Sequence, residues 1–165
     1  MLWGDGQAAN PANALQAQIG QLRRTFGAAA IVTSDADYAL AVQPDQVDVV
    51  RFEQLVRKGR RLAADGELAS ASQTLGEALG LRRGEPLAEF TYAGLFFDAE
   101  RARLDELALV ATESRAEADL GLGRHGELAG ELEARCRQHP LRERLWELLI
   151  LVLYRSGRQA EALCA

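Results

Sequence analysis

A repeat with a period of 34 residues is the feature that most restricts the fold of this chain. Gly123-Arg124 and Gly157-Arg158 lie 34 residues apart, and each dipeptide follows one segment of helical periodicity and precedes another. Helix pairs that recur at this period are typical of tetratricopeptide arrays, in which neighbouring pairs bury a shared core. Gly66 precedes a similar segment but stands 57 residues before Gly123, so we expect one expanded unit.

From Val47 onward, apolar residues recur at intervals of three and four, which predicts helices joined by short turns. The predicted helices run from Asp48 to about Asp65, from Leu68 to between Gly80 and Gly84, from Glu100 to Leu122, and from Pro140 to Ser156. We expect Asp48 to be an N-cap, Pro140 to lie in a first turn and Leu141 to face inward. The aromatic residues Phe90, Tyr92, Phe96 and Phe97 either pack within the array or line a pocket for a partner.

The first 45 residues show a different pattern, one helix followed at once by a hairpin. Leu15, Ile19, Leu22 and Phe26 are spaced four, three and four apart, so they form one apolar stripe, which we expect to be the buried face of the helix. Two β-favouring segments, 30–33 and 38–42, are separated by turn-forming residues. A winged-helix protein presents its DNA-reading helix and its wing in this order. We therefore predict a mainly α-helical chain with two domains, 1–45 and 46–165.

The polar residues of this first helix are the candidate DNA contacts. Asn13, Ala17, Gly20 and Arg24 lie opposite the apolar stripe, flanked by Gln16 and Gln21. Asn13 and Gln16 are suited to hydrogen bonds with base edges in a major groove. Arg23 and Arg24 are suited to phosphate or guanine. The alternative is that these residues form only the solvated face of an amphipathic helix.

The charge of the chain gives limited support to nucleic-acid binding. The formal net charge is −5, and Met1–Asp48 holds two arginines against five aspartates. Phosphate binding depends on Lys and Arg, so this segment has a weak electrostatic attraction for DNA.

Several other classes of protein are not supported by the sequence. There is no apolar run long enough for a membrane span and no signal-peptide pattern at Met1, so we expect a cytoplasmic protein without membrane partners. Cys136 and Cys164 are expected to be reduced and partly buried, and Cys136 with His139 is not a zinc site. The glycines at 121, 123 and 126 follow a helix, which favours a helix–helix turn over a dinucleotide site. We find no positioned nucleophile, and we expect no enzyme, cofactor or metal.

Eight short motifs occur in the chain in the order of one known family. They are Leu2–Asp5, Asn13–Gln16, Leu22–Arg24, Tyr38–Leu40, Val47–Asp48 with Arg51–Phe52, Leu81–Leu87, His139–Glu143 and Tyr154–Leu163. By these motifs the chain resembles the antibiotic-regulatory-protein family of actinobacterial transcriptional activators. Members of that family join a winged helix of the OmpR type to a helical bacterial transcriptional activation domain of tetratricopeptide-like build.

The resemblance implies binding to double-stranded promoter DNA and contact with RNA polymerase or a paralogous regulator. Family members have a small sheet and two helices before the motif that contains Trp3, so we expect residues 1–45 to be the C-terminal part of a truncated winged helix. We expect the activation domain, 46–165, to end partway through a helix. One alternative is a protein-interaction module that has lost DNA binding, and another is a remnant that folds poorly. The target operator, any effector ligand and the oligomeric state do not follow from the sequence.

Overall fold

The computed structural model describes residues 11–34, 37–88 and 95–165, and within these ranges the chain is mainly α-helical, as predicted. Its elements are α1 (Pro11–Phe26), β1 (Ile31–Thr33), β2 (Tyr38–Leu40), α2 (Asp48–Ala64), α3 (Leu68–Gly80), α4 (Leu95–Gly121), α5 (His125–Gln138), α6 (Glu143–Arg155) and α7 (Gln159–Ala162). The chain divides into two compact units, Met1–Val47 and Asp48–Ala165.

The first unit contains α1 and an antiparallel hairpin of β1 and β2, in which Ile31 pairs with Leu40 and Thr33 with Tyr38. Strand β1 begins one residue later than predicted because Ala28–Ala30 form a turn of 3-10 helix, and β2 ends at Leu40, two residues earlier than predicted. The Ala41 N–H nevertheless donates to the Ala30 carbonyl at 2.9 Å, which closes the open end of the hairpin.

The second unit has two hydrophobic clusters, and α4 contributes to both. The first cluster joins Phe52 and Val56 of α2, Leu75 of α3 and Leu104 of α4. The second joins Leu120 at the end of α4 to buried residues of α5 and α6: Leu128, Ala129, Leu132, Cys136, Leu145, Leu148, Leu149, Val152 and Leu153. At about 1.5 Å per residue, the 27 residues of α4 span roughly 40 Å. One continuous helix therefore connects the two cores.

Two glycines at the period of the predicted repeat end their helices in the same way. Gly123 and Gly157 both have φ +77°, a left-handed conformation that favours glycine. After Gly123, the Arg124 N–H donates to the Asp119 carbonyl at 2.9 Å, and after Gly157 the Arg158 N–H donates to the Leu153 carbonyl at 2.9 Å. This is the Schellman pattern, so the 34-residue spacing corresponds to a repeated helix–turn–helix.

Helices α2 and α3 pack closely because Gly59 has no side chain. A Cβ placed on Gly59 would lie 2.5 Å from Cγ of Leu75, a fully buried side chain. Such a distance is far shorter than van der Waals contact. Gly59 is therefore required by the approach of the two helices.

Charged side chains also join the helices of the second unit. The Arg142 guanidinium, just before α6, donates to Glu113 of α4 at 2.5 Å and to Glu106 at 2.6 Å. Glu113 is only 8% exposed, so the ion pair compensates a buried carboxylate. Ser72 of α3 donates to Asp119 of α4 at 2.6 Å.

The structure corrects the predicted start of α6. Pro140 precedes the helix, because residues 139–142 form a turn in which the Arg142 N–H donates to the His139 carbonyl at 3.0 Å. Trp146 Nε1 donates to the Pro140 carbonyl at 3.0 Å, so the turn is held to the helix that follows it. Leu141 lies in this turn and is 94% exposed instead of facing inward.

Other predictions were wrong in detail. Asp48 is the first residue of α2, and its carboxylate accepts a hydrogen bond from the adjacent Val49 N–H at 2.8 Å. Helix α4 begins at Leu95, earlier than predicted, and Phe96 in its first turn is 76% exposed and does not pack within the array. Phe96 meets Phe97 edge to face, whereas Phe90 and Tyr92 lie outside the described residues. Cys164 is exposed, and Cys136 is buried.

No helix among the described ranges is both long enough and apolar enough to cross a bilayer.

We predict that Gly59→Ala lowers the free energy of unfolding, by up to about 2 kcal/mol. Overpacking against Leu75 costs about 1–3 kcal/mol, and the better helix propensity of alanine returns about 1 kcal/mol. Gly130→Ala is the matched control, because Gly130 lies inside α5 with open space around its Cβ position, and it should be neutral or stabilising. Urea unfolding followed by circular dichroism measures both variants. Equal effects of the two substitutions would contradict the close packing.

The two thiols should react at very different rates. Burial, with a smaller effect of the nearby Glu133 carboxylate, raises the pKa of Cys136 from its ordinary value of 9.0, whereas Cys164 is exposed. A thiol-specific chromogenic reagent should therefore modify Cys164 in the folded protein and Cys136 only on unfolding. Because the unfolded thiol loses its proton first, stability should also fall as the pH rises above about 9. Rapid modification of both thiols in the folded protein would contradict this prediction.

Candidate nucleic-acid interface

Helix α1 presents an exposed polar face. Asn13, Gln16 and Arg24, together with Gly20, recur at intervals of three and four and so share one side of the helix. The side chains of Asn13, Gln16 and Arg24 are exposed, and Gln21 is exposed on the flank of this face. We call Asn13, Gln16, Gly20 and Arg24 the polar face of α1.

Arg23 differs from the other candidates because its guanidinium contacts the hairpin. Its Nε and Nη2 atoms donate to the Ile31 carbonyl at 3.0 and 2.8 Å, and Nη2 also donates to Thr33 Oγ1 at 2.6 Å. The guanidinium carbon lies 6.0 Å from the centre of the Tyr38 ring, within the range of a cation–π interaction. Arg23 therefore connects the end of α1 to both strands.

The apolar stripe of α1 is buried only in part. Leu15 and Ile19 are half-buried, but Leu22 is 41% exposed and Phe26 is 68% exposed. The prediction of one buried stripe is therefore wrong for its C-terminal end. The hairpin buries a single large side chain, Ile31, and a two-stranded hairpin is too small to cover a whole helix face.

The side chains on the polar face are suited to hydrogen bonding with nucleic acid and not to metal binding. An Asn or Gln amide both donates and accepts, which matches the N6 and N7 atoms of adenine, and an arginine matches guanine or phosphate. Within residues 11–34, 37–88 and 95–165, no cluster of three or more His, Cys, Asp or Glu side chains could hold a metal ion.

Positive charge is concentrated on α2, a helix that was not among the sequence-predicted sites. This helix holds Arg51, Arg57, Lys58, Arg60 and Arg61 within its 17 residues, against Asp48 and Glu53. The signal was present in the sequence, because five of the 19 Lys and Arg residues of the chain fall in this segment. The charge of residues 1–48 does not include these cations, so it gave no indication of a positive helix surface.

We predict that Arg23→Ala loosens the hairpin without lowering the melting temperature of the second unit. A hydrogen bond from a charged donor is worth roughly 1.5–3 kcal/mol, less at a partly exposed site, so the Ala41 and Ser34 amides should exchange about tenfold faster. Arg24→Ala is the matched control, since the Arg24 side chain is exposed on the neighbouring position of the same helix. Hydrogen exchange by NMR measures both. Similar exchange rates in the two variants would show that Arg23 does not hold the hairpin.

The second unit matches a known family. The profile of the bacterial transcriptional activator domain aligns with residues 47–165. The chain is also similar to the regulatory protein DnrI of Streptomyces peucetius, with 39% identity over 98% of this chain and 63% of DnrI. It is 37% identical to the regulatory protein AfsR of Streptomyces griseus, over 98% of this chain and 16% of AfsR.

A solved structure is similar over the same extent. The structure of Mycobacterium tuberculosis EmbR in complex with a low-affinity phosphopeptide aligns with a TM-score of 0.88 and 30% identity, covering 99% of this chain and 44% of that chain. The chain thus spans less than two thirds of the length of each of these relatives. The domain match and the order of the motifs agree, and the chain belongs to the bacterial transcriptional activator domain family, among the antibiotic-regulatory-protein type of actinobacterial regulators.

Proposed function

We propose that this chain regulates transcription by binding double-stranded promoter DNA through the polar face of α1. The observation that carries the proposal is that this face is exposed while Arg23 holds the adjacent hairpin against the same helix. A reading helix with a hairpin beside it has the form of a recognition helix with its wing. The similarity to named regulatory proteins includes this segment, because it covers 98% of the chain.

The side chains on and beside the polar face have different parts in the proposal. Asn13 and Gln16 contact base edges in the major groove, and Arg24 contacts phosphate or guanine. Gln21 contacts the DNA from the flank of the same face. Arg23 acts as a positioning residue, since its guanidinium is already bound to Ile31 and Thr33.

The helical unit has the second part in this proposal, contact with RNA polymerase or with a paralogous regulator. Its support is the match to a domain named for transcriptional activation. Immobilised full-length chain and purified actinobacterial RNA polymerase holoenzyme provide the test. Retention of the polymerase at moderate salt supports the contact, and its absence from the eluate in the presence and absence of promoter DNA argues against it.

We predict that Gln16→Ala removes a base preference. Duplexes that bind the chain are first selected from a random-sequence library, and single base-pair changes are then made in the recovered site. Removal of a bidentate hydrogen-bonded pair costs about 1–3 kcal/mol of discrimination at one base pair, and the other positions should keep their preference. Fluorescence anisotropy with the recovered duplex and its single-change variants measures the effect.

The matched control is Gln18→Ala. Gln18 is an exposed glutamine of the same helix, and its position lies beside Leu22, away from the polar face. This variant should keep the wild-type preference at every base pair. Recovery of no preferred sequence, or the same reduction in both variants, would contradict the proposed reading by α1.

A further inference from the structure

The outer side of α2 carries a row of cations. Arg51, Lys58 and Arg61 are seven and three residues apart, and Arg57 lies one turn before Arg61 at the edge of the same row. These four residues, which we call the basic face, lie opposite Phe52, Val56 and Gly59, the buried residues of the helix. All four are exposed.

The basic face gathers four cations on one side of a single helix, with few counter-charges. Several arginines elsewhere in the second unit contact carboxylates of neighbouring helices, such as Arg82 with Asp105 at 2.5 Å and Arg144 with Glu117 at 2.5 Å. Among the residues that the structure describes, Arg51, Lys58 and Arg61 have no ion pair. Arg57 lies 3.7 Å from Glu53, a carboxylate that Arg103 also contacts, and the Arg57 side chain is 68% exposed.

This arrangement is unfavourable for the isolated helix. Lys58 with Arg61 and Arg57 with Arg61 are like-charged pairs at three and four residues, which repel one another. Arg51 lies near the N-terminus of α2, where positive charge opposes the helix dipole, and only Arg61 in the last turn is favoured by it. The internal contacts of the unit do not explain why these cations share one face, whereas an external polyanion would.

We propose that the basic face binds the phosphate backbone of duplex DNA. This inference rests on the proposed function and supplies what the α1 segment lacks, because Met1–Asp48 holds only two arginines, one of them bound to the hairpin. Helix α2 begins eight residues after β2 ends, so both belong to one short stretch of sequence. From Arg51 to Arg61 the face extends about 15 Å along the helix axis, comparable to about four base-pair steps.

The basic face is expected to contribute affinity without base preference. Each cation that neutralises a phosphate displaces a condensed counterion, so it steepens the dependence of binding on salt. Hydrogen bonds to base edges are required for sequence reading, and the basic face is assigned none. An acidic protein surface is the other polyanion that could bind here, and the test separates the two.

The experiment compares two variants of the whole chain that carry the same reduction in charge. Lys58→Gln with Arg61→Gln removes two cations of the basic face. Arg83→Gln with Arg137→Gln removes two exposed cations at other places, which also have no ion pair among the described residues. Binding of each protein to a fluorescein-labelled duplex of mixed sequence is measured by anisotropy between about 50 and 200 mM KCl. The same titrations are run with labelled poly-L-glutamate.

The variant of the basic face should make the slope of log K against log salt less negative by about 1.8, because each phosphate that the chain no longer neutralises accounts for about 0.9. The control variant should keep the wild-type slope. Base preference on a selected duplex should not change, and thermal unfolding of the basic-face variant should occur at the wild-type temperature or higher, since repulsion has been removed.

An unchanged slope in the basic-face variant would overturn the inference. If poly-L-glutamate binds the wild-type and control proteins but not the basic-face variant, the face would then be assigned to an acidic protein partner. If Gln16→Ala still alters base preference in that case, the proposed function stands and only the inference fails. If the slope becomes less negative as expected but no base preference exists, the proposed base reading by α1 fails and the inference about the basic face stands. Absence of any duplex binding would overturn both the proposed function and the inference about the basic face.

Discussion

Helix α4 is the element on which the helical unit depends, because its residues belong to two separate hydrophobic clusters. Leu104 and Ala111 pack with α2 and α3, and Ala116 and Leu120 pack with α5 and α6. The polar contacts of Asp119 with Ser72 and of Glu113 with Arg142 join the same helix to α3 and to the turn before α6. A change in the middle of α4 therefore affects both cores, whereas a change in α7 affects only the end of the array.

Charge is the second constraint, and it gives two elements different parts in the proposed DNA binding. The polar face of α1 holds amides of the kind that match base edges, but Arg24 is its only cation in a segment with five aspartates. Helix α2 has the opposite character, with exposed arginine and lysine side chains and few carboxylates. Because phosphate contacts provide affinity and base contacts provide specificity, the two elements are complementary. Neither element combines base-matching amides with a row of exposed cations.

The sequence predicted the elements of the fold better than their contacts. Helices α2, α3, α4 and α6 followed from apolar periodicity, whereas α5 was expected only from the repeat after Gly123-Arg124. Gly123 and Gly157 both adopt a left-handed backbone at the predicted turns. Pro140 was misplaced because the favourable first-turn position of proline competes with a turn held by Trp146, a contact that has no local signature. Arg23 contacts Ile31 and Thr33 of the hairpin. Helical periodicity does not report contacts between a helix and a strand, so the sequence did not show that Arg23 binds the hairpin while Arg24 stays exposed.

NMR chemical-shift mapping of the ¹⁵N-labelled chain during titration with duplex DNA tests the central claim most directly, because it reports every contacted element in one experiment. We expect the largest shifts in α1 around Gln16 and Arg24, in the hairpin and on the outer side of α2 around Lys58. The residues of α5 and α6 should change little. Shifts confined to α5 and α6, or no shifts at saturating duplex, would contradict the claim that this chain contacts DNA through α1 and α2.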